Sequence, residues 1–285
     1  MTKIAVVTDS TAYIPDEILK KYAINVIPLT IIWENETFLD GVDIQPGDFY
    51  KRLSTAKVMP TTSQVTVTAM QSLFQDLINQ DFDILGIFIS SKFSGTVESA
   101  LQAREALPLA TGKIAIVDSL TTTMAMGWPV ITAARAAQAG ENLGSCLRVA
   151  ENARDHSGVL FVVDTLEFLR RGGRIGGAQA LLGTALNLKP VLEMQNGRIE
   201  SVEKVRTKRK AIERLMDLAC ERIDNRVPLR LATVHANAEA EAMSLLESAR
   251  ARLNPIETLC CPLSPVVGTH AGPGTVALTY MAGVN

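Results

Sequence analysis

The chain has 285 residues, enough for a sizeable core and more readily divided into two α/β domains than packed as one. Its 28 Lys and Arg stand against 30 Asp and Glu, a net charge of −2, which argues against nucleic acid or an anionic membrane surface as a partner. No run approaches ~20 uninterrupted apolar residues. Even Met124 to Ala137 is crossed by Pro129, Thr132 and Arg135, so no integral membrane segment is expected.

The first residues, MTKIAVVTDS, form a β-branched run followed by polar turn residues, without the apolar stretch and cleavage site of a signal peptide, so a cytoplasmic location is expected. Strand-like runs then alternate with helical periodicity: KIAVVTDS, PDEILKKY, INVIPLTIIW, residues 66–80, DILGIFIS, GTVESALQAREAL, KIAIVDS and a long helix after Thr123. That alternation predicts a mostly parallel sheet covered on both faces. Ile4 to Val7, Ile84 to Ile89 and Ile114 to Val117 are apolar almost throughout, as strands buried on both faces should be.

GVLFVVD, residues 158–164, opens a second series, which divides the chain into an N-terminal α/β domain, 1–157, and a C-terminal α/β domain, 158–285. Asn196-Gly197 between two β-rich runs predicts a hairpin, and with it antiparallel pairing in the second half. After Thr207 a helix carries Ile212, Leu215, Met216, Ala219 and Ile223 on one stripe. LRLATVHA, a helix over 238–253, IETLCCPL and TVALTYMA complete the unit. The four cysteines contain no C-x-x-C pair and His156, His235 and His270 have no ligand spacing, so neither a metal nor a cofactor is expected.

Small hydroxyls cluster where strands are expected to end: Thr8-Asp9-Ser10-Thr11, Thr61-Thr62-Ser63, Ser90-Ser91 with Ser94-Gly95-Thr96, and Asp118-Ser119 with Thr121 to Thr123. In an open parallel sheet those ends face the ligand crevice. Ser, Thr and Asp are also the preferred helix N-caps, and capping is the stronger reading of the Asp9 and Asp118 loops. The Ser90 to Thr96 loop adds a glycine and a helix N-terminus able to attract an anion, so capping and binding stand level there. Neither G-x-x-x-x-G-K-[ST] nor G-x-G-x-x-G occurs, and neutral hydroxyls and amides suit a singly charged carboxylate. His270, in Gly268-Thr269-His270-Ala271-Gly272-Pro273-Gly274, is expected in a rigid loop from which it can reach a ligand. Arg170, Arg171, Arg174 and Arg206 gather positive charge in the second half, as a solvated surface, a carboxylate counter-ion or a docking patch for an acidic partner.

TDSTAYIP, TTSQVT, SSKFSGTVESA, VDSLTTTMAMG, FLRRGGRI and GTHAGPGTVAL resemble, in order and over essentially the whole chain, the signature segments of the DegV family. The resemblance implies a two-domain DegV fold holding one fatty acid between the domains, as in the FakB proteins of that family. The carboxylate would rest on the hydroxyls of Thr62 and Ser94. Ser63, Gly95, Thr96, Arg170 and His270 are second in rank, and Arg171, Arg174 and Arg206 are a possible docking surface. It further implies a carrier rather than an enzyme, with long-chain acids such as palmitate as ligand and a separate fatty acid kinase as partner. That kinase would make the acyl phosphate for phospholipid synthesis. Val65, Phe93 and Ala277 depart from the family's commoner residues, and Phe93, beside Ser94, can narrow or redirect the tunnel. Two other readings use the same loops: a small-anion binder, and a serine hydrolase built from Ser94, His270 and Asp9 or Asp118. Lys92-Phe93-Ser94-Gly95 lacks the first glycine of the hydrolase elbow.

Overall fold

The computed structural model describes residues 3–182 and 188–284. The first half runs β1 (Lys3–Asp9), α1 (Asp16–Lys21), β2 (Asn25–Ile27), β3 (Thr30–Trp33), β4 (Glu36–Leu39), α2 (Pro46–Leu53), β5 (Thr61–Ser63) and α3 (Val67–Asn79). It continues through β6 (Phe82–Phe88), α4 (Thr96–Glu105), β7 (Ile114–Asp118), α5 (Thr123–Gln138) and α6 (Leu143–Asp155). The second half follows with β8 (Ser157–Val162), α7 (Glu167–Arg171), β9 (Val191–Gln195), β10 (Arg198–Glu203), α8 (Lys208–Ile223), β11 (Leu229–His235), α9 (Glu239–Leu253), β12 (Glu257–Pro262), α10 (Pro265–Ala271) and β13 (Val276–Ala282).

Three sheets form among the described residues. The first is wholly parallel, in the order β2-β1-β6-β7. The second is mixed, in the order β10-β9-β8-β13-β11-β12, antiparallel except where β11 meets β12. The third is a small antiparallel sheet, β4-β3-β5, which the sequence reading did not anticipate. INVIPLTIIW is two strands because Pro28 interrupts it, and the second of them turns away to pair with β4 and β5. The Asn196-Gly197 hairpin forms as expected, with φ of 49° and 82° at the two turn residues.

Helix α5 joins the layers. From Thr123 to Ala134 every residue is buried, and a helix apolar all round requires protein on all sides. It packs against β1 and β6 of the parallel sheet and against β8, β11 and β13 of the mixed sheet. One continuous core therefore includes Val6, Ile87 and Trp128 together with Phe161, Val234 and Met281, while a second core lies under α8 and α9 on the far face of the mixed sheet. At the end of α5, Arg135 Nη2 donates to both carboxylate oxygens of Glu257, each at 2.9 Å, and Arg230 reaches the same carboxylate at 3.2 Å.

The small sheet is fastened to β1 by a polar relay. The Leu29 amide donates to Ser10 Oγ at 3.1 Å, and Ser10 Oγ donates to Asp40 Oδ2 at 2.7 Å. Burial pushes the Asp40 carboxyl up to about 7, against the hydrogen bonds from Ser10, Val266 and Ser264. A carboxyl raised in this way favours the fold fully below its unfolded value near 4, and the benefit is lost as pH rises through about 7. Asp40→Asn, which keeps an acceptor for Ser10, should therefore gain stability relative to the parent between pH 4 and 7, by an amount on the order of a few kcal/mol, and level off above. Denaturation of both proteins across that range is the check; a difference independent of pH would mean that Asp40 is ionised throughout.

Candidate functional site

Thr62 and His270 lie 208 residues apart in sequence, yet Thr62 Oγ1 is 2.8 Å from His270 Nε2. The small sheet places the first: β5 pairs with β3, with Thr62 opposite the buried Ile31. Helix α10 places the second. Pro265 occupies its first turn and Ser264 caps it by accepting from the Val267 amide, so His270 rides on a helix and not in the loop expected from its glycines. The Ser-Pro pair before the glycines was the signal for that helix. Tyr50 on α2 holds the start of α10 by donating to the Leu263 carbonyl at 3.1 Å, and a Cβ on Gly268 would fall 2.3 Å from the Tyr50 hydroxyl.

Beside this pair is a cavity of about 230 Å³. Its walls are mostly apolar: Leu29 and Ile89 from the strand ends, Val159 and Phe161 from β8, Ala277 from β13, Met194 and Ile199 from the β9-β10 hairpin, and Val266 and Val267 from α10. Thr62, Ser63, Gln64, Ser94, Gly95, Arg174 and His270 supply polar atoms. Ser94 Oγ is 2.8 Å from Thr96 Oγ1 and accepts from the Thr96 amide at 3.3 Å, so from the position before the Gly95 N-cap it takes up the first amide of α4, and its residue lines the cavity as well. Capping and exposure to a ligand, set against each other in the sequence, coexist in one side chain. Gly95 leaves room for Gln64, whose side chain a Cβ there would strike at 2.1 Å. Thr96 is fully buried behind Ser94.

The cations divide. Arg174 lines the cavity and donates to two carbonyls, Phe93 O at 3.1 Å and Gly172 O at 2.7 Å. Arg170, expected as a second-rank ligand residue behind Thr62 and Ser94, is paired with Glu167 through contacts of 2.9 and 2.7 Å, and Arg171 joins the same carboxylate at 2.6 Å. Arg170 and Arg171 are exposed, and together they hold the Glu167 carboxyl down at about 2. Helix α7 turns both side chains outward because its inward residue is Leu169. Arg206 is exposed on the segment between β10 and α8.

The hydrolase constellation does not assemble. His270 bonds Thr62 and Ser94 bonds Thr96, with no Ser94 to His270 hydrogen bond among the described residues. Asp9 is occupied by the Thr11 amide and hydroxyl and the Ile89 amide, and Asp118 by the Ser91 and Leu120 amides. His270 Nδ1 has no hydrogen-bond partner among the described residues, so no acid orients the ring. Among those residues there is also no cluster of three His, Cys, Asp or Glu side chains able to hold a metal, and no helix long and apolar enough to cross a membrane.

Burial first, and the Arg174 charge second, push His270 down to about 4, so the ring is neutral at pH 7. Its position depends on the absence of a side chain at Gly172, where a Cβ would lie 2.0 Å from Nδ1. Gly172→Ala should displace the imidazole, break the bond to Thr62 and let the histidine titrate closer to its ordinary range, at an overpacking penalty of about 1–3 kcal/mol. An NMR titration of the ring reads this; a folded variant still titrating near 4 would show that Gly172 does not set the ring's place.

Comparison with known proteins agrees with this architecture. The family model described as "Uncharacterised protein, DegV family" matches residues 3–283. A DegV domain-containing protein of Listeria monocytogenes is 36% identical over 280 residues, covering 98% of each chain. A DegV family protein from Thermus thermophilus, described as binding fatty acid, superimposes with a TM-score of 0.92 at 32% identity, covering 98% of this chain and 99% of that one. DegV of Bacillus subtilis, described as a fatty acid binding protein, does so with a TM-score of 0.90 at 32% identity over 99% and 100%. With a family match over nearly its whole length and relatives above 30% identity, this chain belongs to the DegV family.

Proposed function

We propose that this protein binds one long-chain fatty acid, palmitate among the candidates, and carries it in the cytoplasm without transforming it. The acyl chain would occupy the apolar cavity between the parallel-sheet half, residues 1–157, and the mixed-sheet half, residues 158–285. The carboxylate would accept hydrogen bonds from Thr62 and Ser94, with Ser63, Gly95 and His270 close by. One observation carries this reading: an apolar cavity whose polar groups are mostly neutral donors, with a single lining cation among the described residues, Arg174, already engaged with two carbonyls. Each buried methylene stabilises by ~0.8 kcal/mol, so the tail supplies affinity while the head sets orientation. The fatty-acid binding of similar proteins from Thermus thermophilus and Bacillus subtilis supports the same ligand class.

The carrier would present its acid to a separate fatty acid kinase, feeding an acyl phosphate to phospholipid synthesis. Of the cations expected to dock such a partner, Arg171 and Arg206 are exposed, Arg171 in a pair with Glu167, whereas Arg174 lines the cavity; the sequence has no G-x-x-x-x-G-K-[ST] loop for the phosphates of ATP.

Native mass spectrometry of the purified protein, followed by denaturing extraction and lipid analysis, should find one fatty acid per chain. Ser94→Ala and Thr62→Val should each weaken palmitate binding about tenfold, the loss of one hydrogen bond to a charged group, with the fold intact. A ligand-free mass together with no uptake of palmitate or oleate would overturn the carrier reading.

A further inference from the structure

Gln64 lines the cavity, and the binding scheme above leaves it without a role. It follows β5, two residues after Thr62, and its side chain crosses to α4. Gln64 Nε2 donates to Ser99 Oγ at 3.1 Å, and Ser99, in the first turn of α4, is 2% exposed. On the way the amide lies against Gly95, where a Cβ would come 2.1 Å from Oε1 and 2.6 Å from both Cδ and Nε2. Gly95 has a φ of −75°, a value open to other residues, so its backbone does not require glycine. What the glycine supplies is room for the Gln64 amide.

The two hydroxyls proposed to hold the carboxylate come from separate pieces of chain. Thr62 sits in a three-residue strand at the edge of the small sheet, paired with β3 and bonded to His270. Ser94 sits in the turn before α4, bonded to Thr96. Among the described residues, the bond from Gln64 to Ser99 is the one hydrogen bond that joins residues 61–66 to residues 90–99. A carboxylate offers two oxygens at a fixed separation, so two donors serve it together only while their own spacing is held. A single neutral oxygen makes no such demand.

We infer that Gln64 is a positioning residue: seated on Gly95 and bonded to Ser99, it sets the spacing of the Thr62 and Ser94 hydroxyls, and with it the preference for a carboxylate over a neutral head group. The inference rests on the proposal that those two hydroxyls hold the carboxylate of a fatty acid. Gln64 is exposed at the cavity mouth, so its replacement leaves the core packing intact. Ser99 does not line the cavity, so any effect of its replacement on the head group must pass through Gln64.

Displacement of cis-parinarate from the lipid-free protein by palmitate and by 1-hexadecanol decides the matter, because the two competitors share a tail length and differ in the head. The parent should prefer palmitate. Gln64→Ala should lower that preference about tenfold, the worth of one hydrogen bond to a charged group, with little change in hexadecanol affinity. Ser99→Ala should lower it in the same direction, and the double variant should lose no more than Gln64→Ala alone. An unchanged preference in folded Gln64→Ala overturns the inference. A preference lowered in Gln64→Ala but untouched in Ser99→Ala overturns it too, since Gln64 then meets the carboxylate directly. If the parent binds palmitate no better than hexadecanol, the assignment of the carboxylate to Thr62 and Ser94 falls, and the inference with it; if it takes up neither cis-parinarate nor palmitate, the fatty-acid reading itself falls.

Discussion

The burial of α5 is the constraint from which the rest of the molecule follows. A helix whose first three turns read Thr-Met-Ala-Met-Gly-Trp-Pro-Val-Ile-Thr-Ala-Ala has no face it can give to water, so two sheets must close on it. The parallel sheet and the mixed sheet thus share a core instead of meeting across an open cleft. The cavity extends the same slot. On β13, Met281 touches α5 through the Thr132 hydroxyl at 3.6 Å, and four residues earlier Ala277 faces the cavity. The strands that pack the helix continue past its N-terminus, and what they enclose there is space lined by the helix's own first residues. That space is apolar for the same reason that the core is.

The lid over this space is built from less regular pieces. The β9-β10 hairpin lends Met194 and Ile199 to the wall, and its tip is fixed to the other half where Ser90 Oγ donates to the Gly197 carbonyl at 2.9 Å. Gly197 is required twice, by its φ of 82° and because a Cβ would sit 2.7 Å from Ser90 Oγ. The hydroxyl loop after β6 therefore has two duties: Ser90 holds the hairpin and Ser94, four residues on, faces the cavity. Two of the hydroxyl clusters, through Ser90 to Gly197 and through Thr62 to His270, tie the two halves together, and Thr62 and His270 line the cavity.

Much of this was legible because it is local. Parallel strands announced themselves as short apolar runs ending in hydroxyls, α8 as a stripe, and the hairpin as Asn196-Gly197. The small sheet was hidden because β5 is only Thr61–Ser63, and three residues carry no period by which to tell a strand from a polar loop. His270 looked like a loop residue because glycines dominate its surroundings, although Ser264-Pro265 writes a helix start five residues upstream. Arg170 and Arg174 are four apart and carry the same charge, so composition could not say which would face inward. The choice follows from Leu169, whose burial fixes the face of α7, and from the turn at Gly172 and Gly173 that brings Arg174 back to Phe93. The proximity of Thr62 to His270, depending on packing across 208 residues, had no local signal at all.

The distribution of charge around the cavity has its own logic. Arg174 stands beside the polar cluster, but its Nε and Nη1 are spent on the Phe93 and Gly172 carbonyls, so it biases the site by field more than by a two-pronged grip. His270 is kept neutral by burial and by that same field, and it adds a dipole rather than a second charge. Direct contact with an anion then falls to hydroxyls and to amides at the start of α4, each worth less than an Arg-carboxylate pair. Such a site attracts a carboxylate without locking it in place, and leaves most of the binding energy to whatever fills the apolar space. A protein that had to hold its ligand permanently, or to stabilise charge developing in a reaction, would gain from a free guanidinium or an acid behind the histidine. For one that must also give the ligand up, a neutral head-group site over an apolar cavity is the better arrangement.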